Sequence, residues 1–166
     1  MLEDGDTLDG RFEVIHAPGH AAGQVCLRRR EVLLCADHIL ARTHPRLTPT
    51  ALEPHTGLAV YLDALDRVAA VPGIRLGLAG HEEAMTDVYA RIGEVRASHL
   101  NHLDQILTVC EAPRTLVELA AVLYPETRRG APLLLATQAV ATRVEYLVHQ
   151  GRMERLGQDV LRFVRH

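Results

Sequence analysis

Histidine and aspartate side chains follow three short apolar runs in the first half of this 166-residue chain. His20 comes after a Pro-Gly pair in VIHAPGHAAGQVCL, Asp37 follows REVLLCA, and His81 follows IRLGLAG. Runs rich in aliphatic and β-branched residues predict strands, so all three side chains are expected at the rim of a sheet. Imidazole nitrogen and carboxylate oxygen are ligands of zinc and related divalent ions. The three residues together are therefore candidates for a metal site.

Other histidines are weaker candidates for the same site. His16 is expected to be exposed or to lie beside a ligand, and His38 to orient a ligand or substrate rather than bind metal. His99 is a further candidate of this supporting or substrate-binding kind, although its three-residue spacing from His102 is more typical of a helix surface. The plainer interpretation of Asp37 is a residue that caps the following loop, because aspartate often initiates loops.

Composition favours a packed protein and gives no strong case for a polyanionic partner. The chain is 48% hydrophobic and 23% charged, its formal net charge is −3, and all 18 basic residues are arginine. Three cysteines without C-x-x-C spacing argue against a disulfide framework and against a cysteine zinc knuckle. The sequence shows no apolar stretch of membrane-spanning length, and MLEDGD lacks the features of a signal peptide. We therefore expect a cytoplasmic protein with buried thiols and no membrane association.

The first part of the chain predicts a small sheet with helices. FEVIHA, QVCLRR and REVLLCA have strand character, with a hairpin turn at Arg30-Glu31. A Pro- and Thr-rich stretch over 39–57 predicts a long loop, and apolar residues at helical spacing predict a helix from Gly57 to Pro72-Gly73. IRLGLAG then predicts a strand, and a second helix is expected from about Thr86 to about Val109, with a possible break.

A boundary at 111–113 divides the chain into predicted units 1–110 and 111–166. In the second unit, Thr115 and Glu118 form a capping-box pattern before an apolar helix. A longer amphipathic helix is closed by Gly151, and two short strands follow about a turn at Gly157. Helix, helix and hairpin in this order predict a small winged-helix domain. Balanced acidic and basic residues favour a structural or interaction role for it over DNA binding.

The segments HAPGHAAGQVCL, CADHIL and AGHEE resemble the H-x-P-G-H-T-x-G, G-D-x-x-L and G-H-G segments of metallo-β-lactamase superfamily hydrolases. The tail resembles the winged-helix extension of a subgroup related to glyoxalase II and an endoribonuclease. In that subgroup the helix after the G-H-G segment carries a His-Arg pair, and Ser98-His99-Leu100 matches this pair in part. The resemblance implies a mixed α/β (α+β) fold, with the C-terminal half of an αββα sandwich at 1–110 and the winged helix at 111–166.

The resemblance also implies a ligand set and a reaction. His20 would bind one divalent ion, His81 a second, and Asp37 would bridge both and orient a metal-activated water, which gives it a catalytic role. The implied cofactor is zinc, up to two ions, and the implied reaction is hydrolysis of a thioester, ester, lactam or phosphodiester in a small-molecule or nucleic-acid substrate. The alternative is a non-catalytic module that binds nucleic acid or protein through the winged helix.

The sequence also departs from the family pattern. Ala36 and Glu82 replace glycines, Ala21 replaces a threonine, and the H-x-H-x-D-H ligand segment is absent from this chain. Two ligands would remain for each ion, so we expect a truncated fold that is inactive in isolation. One sheet would lie bare at a cost of roughly 25 cal/mol per Å² of apolar surface, which favours cover by an upstream half, by a rearranged helix or by a second copy in a homo-oligomer.

Overall fold

A five-stranded sheet occupies the first half of the chain in the computed structural model, which describes residues 2–127, 129–157 and 161–166. Its strands, in spatial order, are β1 (Thr7–Leu8), β2 (Phe12–His16), β3 (Val25–Arg29), β4 (Val32–Ala36) and β5 (Leu76–Ala79). Consecutive strands are antiparallel from β1 to β4, whereas β5 is parallel to β4. The carboxyl ends of β2, β4 and β5 therefore lie at one edge of the sheet.

The sheet confirms the predicted hairpin and adds a strand that the pattern did not indicate. Arg30, at the turn between β3 and β4, has a φ of 56°, a left-handed conformation typical of a tight hairpin. Strand β1 has two residues and pairs with Phe12 and Glu13. A two-residue strand is too short to show an alternating pattern, which explains why it was missed.

Two helices belong to the same part of the chain. Helix α1 (Leu58–Ala69) makes the crossover between β4 and β5, and it buries Leu58, Leu62, Leu65 and Val68, as its spacing predicts. Helix α2 (Val88–Val109) begins after Asp87, whose side chain accepts a hydrogen bond from the Ala90 N–H at 2.9 Å. This helix is continuous, so the possible break within it was a wrong prediction.

The second part of the chain contains the predicted elements in the predicted order. Helix α3 (Leu116–Leu123) starts with the Thr115–Glu118 capping box, and α4 (Gly130–His149) ends before Gly151, which has a φ of 67°. Strands β6 (Met153–Leu156) and β7 (Arg162–Arg165) pair antiparallel. Residues 158–160 of their predicted turn lie outside the described residues. The winged-helix assignment and the division at 110 and 111 stay predictions.

One hydrophobic cluster includes buried residues from both parts of the chain. It contains Cys26, Leu65 and Leu103 from the first part and Val140 and Leu147 from the second. Cys26 and Cys35 are buried free thiols, as expected, and Cys110 is a third. Within the described ranges, no helix is both long and apolar enough to cross a membrane.

The two faces of the sheet differ in cover. Ile15, Cys26 and Leu33 lie on the face that packs against the helices, and each is at most 6% exposed. Leu34 and Leu78 pair on the opposite face, where Leu34 is partly exposed and Leu78 is 37% exposed. This second face is the apolar surface for which the sequence analysis predicts a covering partner.

Candidate metal centre

Sheet topology brings the three predicted ligands to one rim. His20 lies in the loop after β2, Asp37 directly follows β4, and His81 follows β5 after a single glycine. His20 Nε2 lies 3.9 Å from Asp37 Oδ2, and His81 Nε2 lies 3.6 Å from the same oxygen. We call these three residues the rim site. Asp37 is its central member, as the family resemblance implies.

The rim site is open to solvent. The side chains of His20 and Asp37 are 30% and 32% exposed, and that of His81 is 74% exposed. Both nitrogen–oxygen separations exceed a hydrogen bond but are shorter than two metal–ligand bonds of about 2.0–2.2 Å laid end to end. The spacing is therefore compatible with a cation between each histidine and the aspartate.

A backbone carbonyl fixes the tautomer of His20. His20 Nδ1 lies 2.6 Å from the carbonyl oxygen of Arg46, which can only accept a hydrogen bond. Nδ1 must therefore carry the proton when the ring is neutral, and the lone pair is on Nε2, the atom that faces Asp37. Metal-binding histidines typically have this arrangement, in which the second ring nitrogen donates to a carbonyl.

Close packing around Gly19 positions the His20 loop. Gly19 has a φ of 126°, and a Cβ at this position would lie 2.6 Å from the Tyr61 Cα in α1. The Gly57 N–H also donates to the Gly19 carbonyl at 3.2 Å. A larger residue at position 19 would push the loop away from α1. Gly19, the glycine of the Pro-Gly pair, therefore fixes the position of His20 relative to this helix.

The Asp37 carboxylate is held by its surroundings. A Cβ at Gly80 would lie 2.6 Å from Asp37 Oδ1, so the carboxylate occupies space that only glycine leaves open. With the amide oriented to satisfy both contacts, the Gln24 side-chain oxygen accepts from the Asp37 and His38 N–H groups at 3.1 and 2.7 Å. These contacts aim the carboxylate along the rim.

Two departures from the family pattern have strained backbones. Ala36 and Glu82 have φ values of 45° and 71°, a left-handed conformation that favours the glycines they replace. The Glu82 carboxylate accepts hydrogen bonds from Thr43 Oγ1 and from the Arg42 N–H, both at 2.6 Å. The hydrogen bond from the Thr43 hydroxyl, followed by that from the Arg42 backbone, lowers the pKa of Glu82. Glu82 therefore ties residues 42–43 to the His81 loop.

The remaining predicted residues lie apart from the rim site. His16 Nε2 hydrogen-bonds to the Leu2 carbonyl at 2.9 Å. His38 is fully buried, both of its ring nitrogens lack a partner among the described residues, and burial, with Arg67 second, lowers its pKa to about 4. Among the described residues, no hydrogen bond joins the ring of His16 or His38 to a side chain of the rim site.

His99 is not the surface residue that its spacing from His102 indicates. It is 2% exposed, because α4 packs against this part of α2. Burial, and then the nearby charge of Arg143, lowers its pKa to about 3. The Tyr61 ring lies between the two buried histidines, with centroid distances of 5.0 Å to His38 and 5.5 Å to His99. We call His38, Tyr61, His99 and Arg143 the buried cluster.

The number of ligands in the rim site is low for a complete metal centre. In the part of the chain that the structure describes, no group of three or more His, Cys, Asp or Glu side chains is arranged to hold one ion. The rim site is instead two histidine–aspartate pairs that share Asp37. Catalytic zinc sites normally have three protein ligands for each ion.

Sequence reasoning missed the residues that support the three candidate ligands. The Arg46 carbonyl is a backbone group, so no residue type could reveal it. Gln24 and Gly80 act through contacts across the sheet rim, which have no local pattern. The only available signal was the position of Gly80 directly before His81, in the segment that resembles the family G-H-G.

Comparisons with known proteins show similarity to one superfamily. The metallo-beta-lactamase superfamily profile matches residues 1–81. A hydroxyacylglutathione hydrolase of Aeromonas salmonicida is 29% identical over 93 residues, which cover 52% of this chain and 33% of that protein. The crystal structure of a metallo-beta-lactamase family protein from Thermus thermophilus is 32% identical, has a TM-score of 0.85, and matches 99% of this chain and 54% of its own.

A second solved structure gives the same result. A beta-lactamase domain protein from Burkholderia ambifaria is 25% identical and has a TM-score of 0.89, covering 99% of this chain and 52% of its own. Residues 1–81 belong to the metallo-beta-lactamase superfamily by the profile match, and members of that superfamily generally bind divalent metals. The whole chain spans about half the length of the two solved structures and about a third of the hydroxyacylglutathione hydrolase.

Proposed function

We propose that the rim site is part of a metal-dependent hydrolase centre. His20 would hold one divalent ion, His81 a second, and Asp37 would bridge them. The observation that carries this proposal is the hydrogen bond from His20 Nδ1 to the Arg46 carbonyl, which leaves the Nε2 lone pair facing the Asp37 carboxylate. Two groups that are both acceptors are stabilised by a cation between them.

Zinc is the ion that the donor set favours, because imidazole nitrogen with carboxylate oxygen is a common zinc ligand combination. When bound, the metal would lower the pKa of a water molecule and polarise the bond to be hydrolysed. Asp37 holds its carboxylate in the space beside Gly80, and the exposed His81 leaves the solvent side of the site open to a substrate.

The substrate class that we propose is a carboxylic thioester or ester. The name of the matched hydroxyacylglutathione hydrolase supports hydrolysis of an acyl group. Because the described residues supply two ligands to each ion, we further propose that full activity requires ligands from additional polypeptide. The isolated chain would then bind metal more weakly than a complete centre and would have little or no activity.

Metal binding by the purified chain tests this proposal. We expect zinc, measured by isothermal titration calorimetry and by elemental analysis after desalting, to bind wild type and to be lost in Asp37→Ala. Asp63→Ala is the matched control, since Asp63 is an exposed aspartate on α1 and does not line the rim pocket. Equal zinc binding by wild type and Asp37→Ala, or no binding by either at saturating zinc, would contradict the proposal.

Substrate class is tested by addition of the missing ligands. A longer polypeptide that contains an H-x-H-x-D-H segment joined to this chain should hydrolyse a thioester in the presence of zinc, and Asp37→Ala should abolish that activity. A phosphodiester assayed in parallel distinguishes the reaction classes. Faster hydrolysis of the phosphodiester than of the thioester would overturn the proposed acyl substrate.

A further inference from the structure

A second polar cavity lies on the other side of the loop that supports His20. It has a volume of about 220 Å³ and is enclosed by residues 44–47, by α2 and by α4. The polar residues in its lining are His44, Arg46, His99, Thr142 and Arg143. This cavity is separate from the rim pocket, which is lined by His20, Asp37 and His81 among others.

Arg143 brings a guanidinium group into this cavity without a carboxylate partner. Its Nη1 donates to the Ala139 carbonyl at 2.7 Å, and its Nη2 lies 3.5 Å from His99 Nδ1. Its Nε is buried and has no hydrogen-bond partner among the described residues. The ion pairs found within those residues also include none formed by Arg143. Buried charges are normally paired, because an unpaired charge loses its hydration without compensation.

His99 contributes a second donor without a partner. Because Arg143 has only donors, the contact at 3.5 Å requires His99 Nδ1 to be the acceptor. The proton of the neutral ring is then on Nε2, and Nε2 is buried without a partner in the described part of the chain. Two N–H groups, Arg143 Nε–H and His99 Nε2–H, therefore lack acceptors among the described residues, and both belong to side chains that line the cavity.

The charge of the cavity indicates what would satisfy these donors. Its lining contains two arginines and two histidines but no aspartate or glutamate among the described residues. We propose that the cavity binds the oxyanion group of a small organic molecule, a carboxylate or a phosphate, through Arg143 and His99. Arginine and a neutral imidazole N–H can both donate to oxyanion oxygens, and hydrogen bonds to a charged group are stronger than those between neutral groups.

The position of the cavity suggests why an oxyanion would bind there. Arg46 lines the cavity, and its carbonyl accepts the hydrogen bond from His20 in the rim site. We assign the cavity to the anionic end of the substrate whose acyl group reacts at the rim. That assignment rests on the proposed function, whereas oxyanion binding itself rests only on the residues of the cavity.

Titration of the full chain with simple anions, after removal of metal by EDTA, tests oxyanion binding. Inorganic phosphate and acetate are added separately, and binding is followed by NMR of the histidine ring nitrogens. We expect at least one anion to shift the His99 resonances, with affinity about tenfold or more weaker in Arg143→Gln. Arg75→Gln is the control, because the side chain of Arg75 is 77% exposed and pairs with Glu31 on the surface. The anion that binds with the higher affinity, phosphate or acetate, identifies the class of oxyanion.

Variants of His99 keep the test decisive if Arg143→Gln does not fold. His99→Phe preserves an aromatic ring but removes the N–H donor, so it should weaken binding of the preferred anion. Arg143→Lys keeps a positive charge and should retain part of the affinity. Equal anion affinity in wild type and in every folded variant, or no binding by wild type, would overturn the proposal. The two proposals can fail separately. If anion binding depended on Arg143 while zinc binding did not depend on Asp37, the proposed function would be rejected and the oxyanion site would be supported.

Discussion

The rim site and the buried cluster each contain two histidines, in opposite environments. Asp37 and His38 are adjacent in the chain, yet the Asp37 side chain is 32% exposed whereas His38 is fully buried. At the rim, His20 has a fixed tautomer and a lone pair directed at a carboxylate. In the buried cluster, His99 faces an arginine, and its pKa is lowered by burial and by that charge.

This difference shows that a histidine in this fold takes its chemistry from its neighbours. A lone pair beside a carboxylate and open to solvent can bind a cation. A neutral ring beside a guanidinium, shielded from solvent, can donate to an anion. In these proposals the rim site would bind metal cations where the acyl group of the substrate reacts, and Arg143 and His99 would bind the anionic end of the same substrate.

Acid should affect the buried cluster most strongly. His38 and His99 have folded-state pKa values of about 4 and about 3, below the ordinary value of 6.5, so the unfolded chain binds their protons first. These two groups therefore leave stability unchanged well above pH 6.5, and stability falls as the pH decreases through 6.5 toward their folded-state pKa values. Between pH 6.5 and pH 5, the two together should remove about 3 kcal/mol from the free energy of unfolding.

Urea unfolding at pH 6.5 and at pH 5 measures this loss of stability. Most carboxylates titrate below pH 5, so they contribute little between these two pH values. His99→Phe removes one of these two groups and should remove about half of their combined loss. Burial also lowers the pKa values of His44 and His102, which add to the loss in both proteins. A loss that is the same in wild type and in His99→Phe would show that the lowered pKa of His99 does not control acid stability.

A substitution at Gly80 should affect the rim site while leaving the buried cluster intact. In Gly80→Ala the new Cβ would lie 2.6 Å from Asp37 Oδ1, so the carboxylate must move. We expect zinc affinity to fall about 10- to 100-fold, as is typical when the support of a ligand is disturbed. Calorimetric titration measures the change.

Gly93→Ala is the matched control for that substitution. A Cβ at Gly93, within α2, meets no atom within 4 Å, so zinc affinity should not change. The helix should become more stable by about 0.5–1 kcal/mol. If both alanine variants bound zinc equally, the close contact between Gly80 and Asp37 would have no part in the metal site.

Local pattern was sufficient to predict much of the fold. The hairpin of β3 and β4, the crossover helix α1 and the Thr115–Glu118 capping box each depend on residues close together in the sequence. The positions of the three candidate ligands at the sheet rim were predictable for a similar reason, because each follows a strand. Their convergence depends on strand direction, which the family resemblance implies and local periodicity does not.

The buried cluster could not be predicted in this way. His99 and Arg143 are 44 residues apart, and they meet because α2 and α4 pack together. Helix α2 also contacts α1 and α3, so it has no single apolar face that identifies its buried side. A histidine pair at three-residue spacing then resembles a surface feature, although packing buries one member.

The rim and the buried cluster also differ in backbone strain, and we expect substitutions that relieve this strain to have the smallest effects. Among the described residues, Ala36 and Glu82 of the rim loops have left-handed φ values, whereas no residue of the buried cluster does. Ala36→Gly should therefore raise the free energy of unfolding by about 1 kcal/mol, because glycine adopts this conformation without a Cβ clash. Chemical denaturation measures this gain, and zinc affinity should stay within about twofold because no ligand contact is lost.

Glu82→Gly separates strain from side-chain contacts. It relieves the same kind of strain but removes the carboxylate that accepts hydrogen bonds from Arg42 and Thr43, so its gain should be smaller than that of Ala36→Gly. An equal gain in both variants would mean that the Glu82 contacts do not hold the rim loops. A loss of stability in Ala36→Gly would show that the conformation of Ala36 is not strained, and the rim would then differ from the buried cluster in exposure and charge alone.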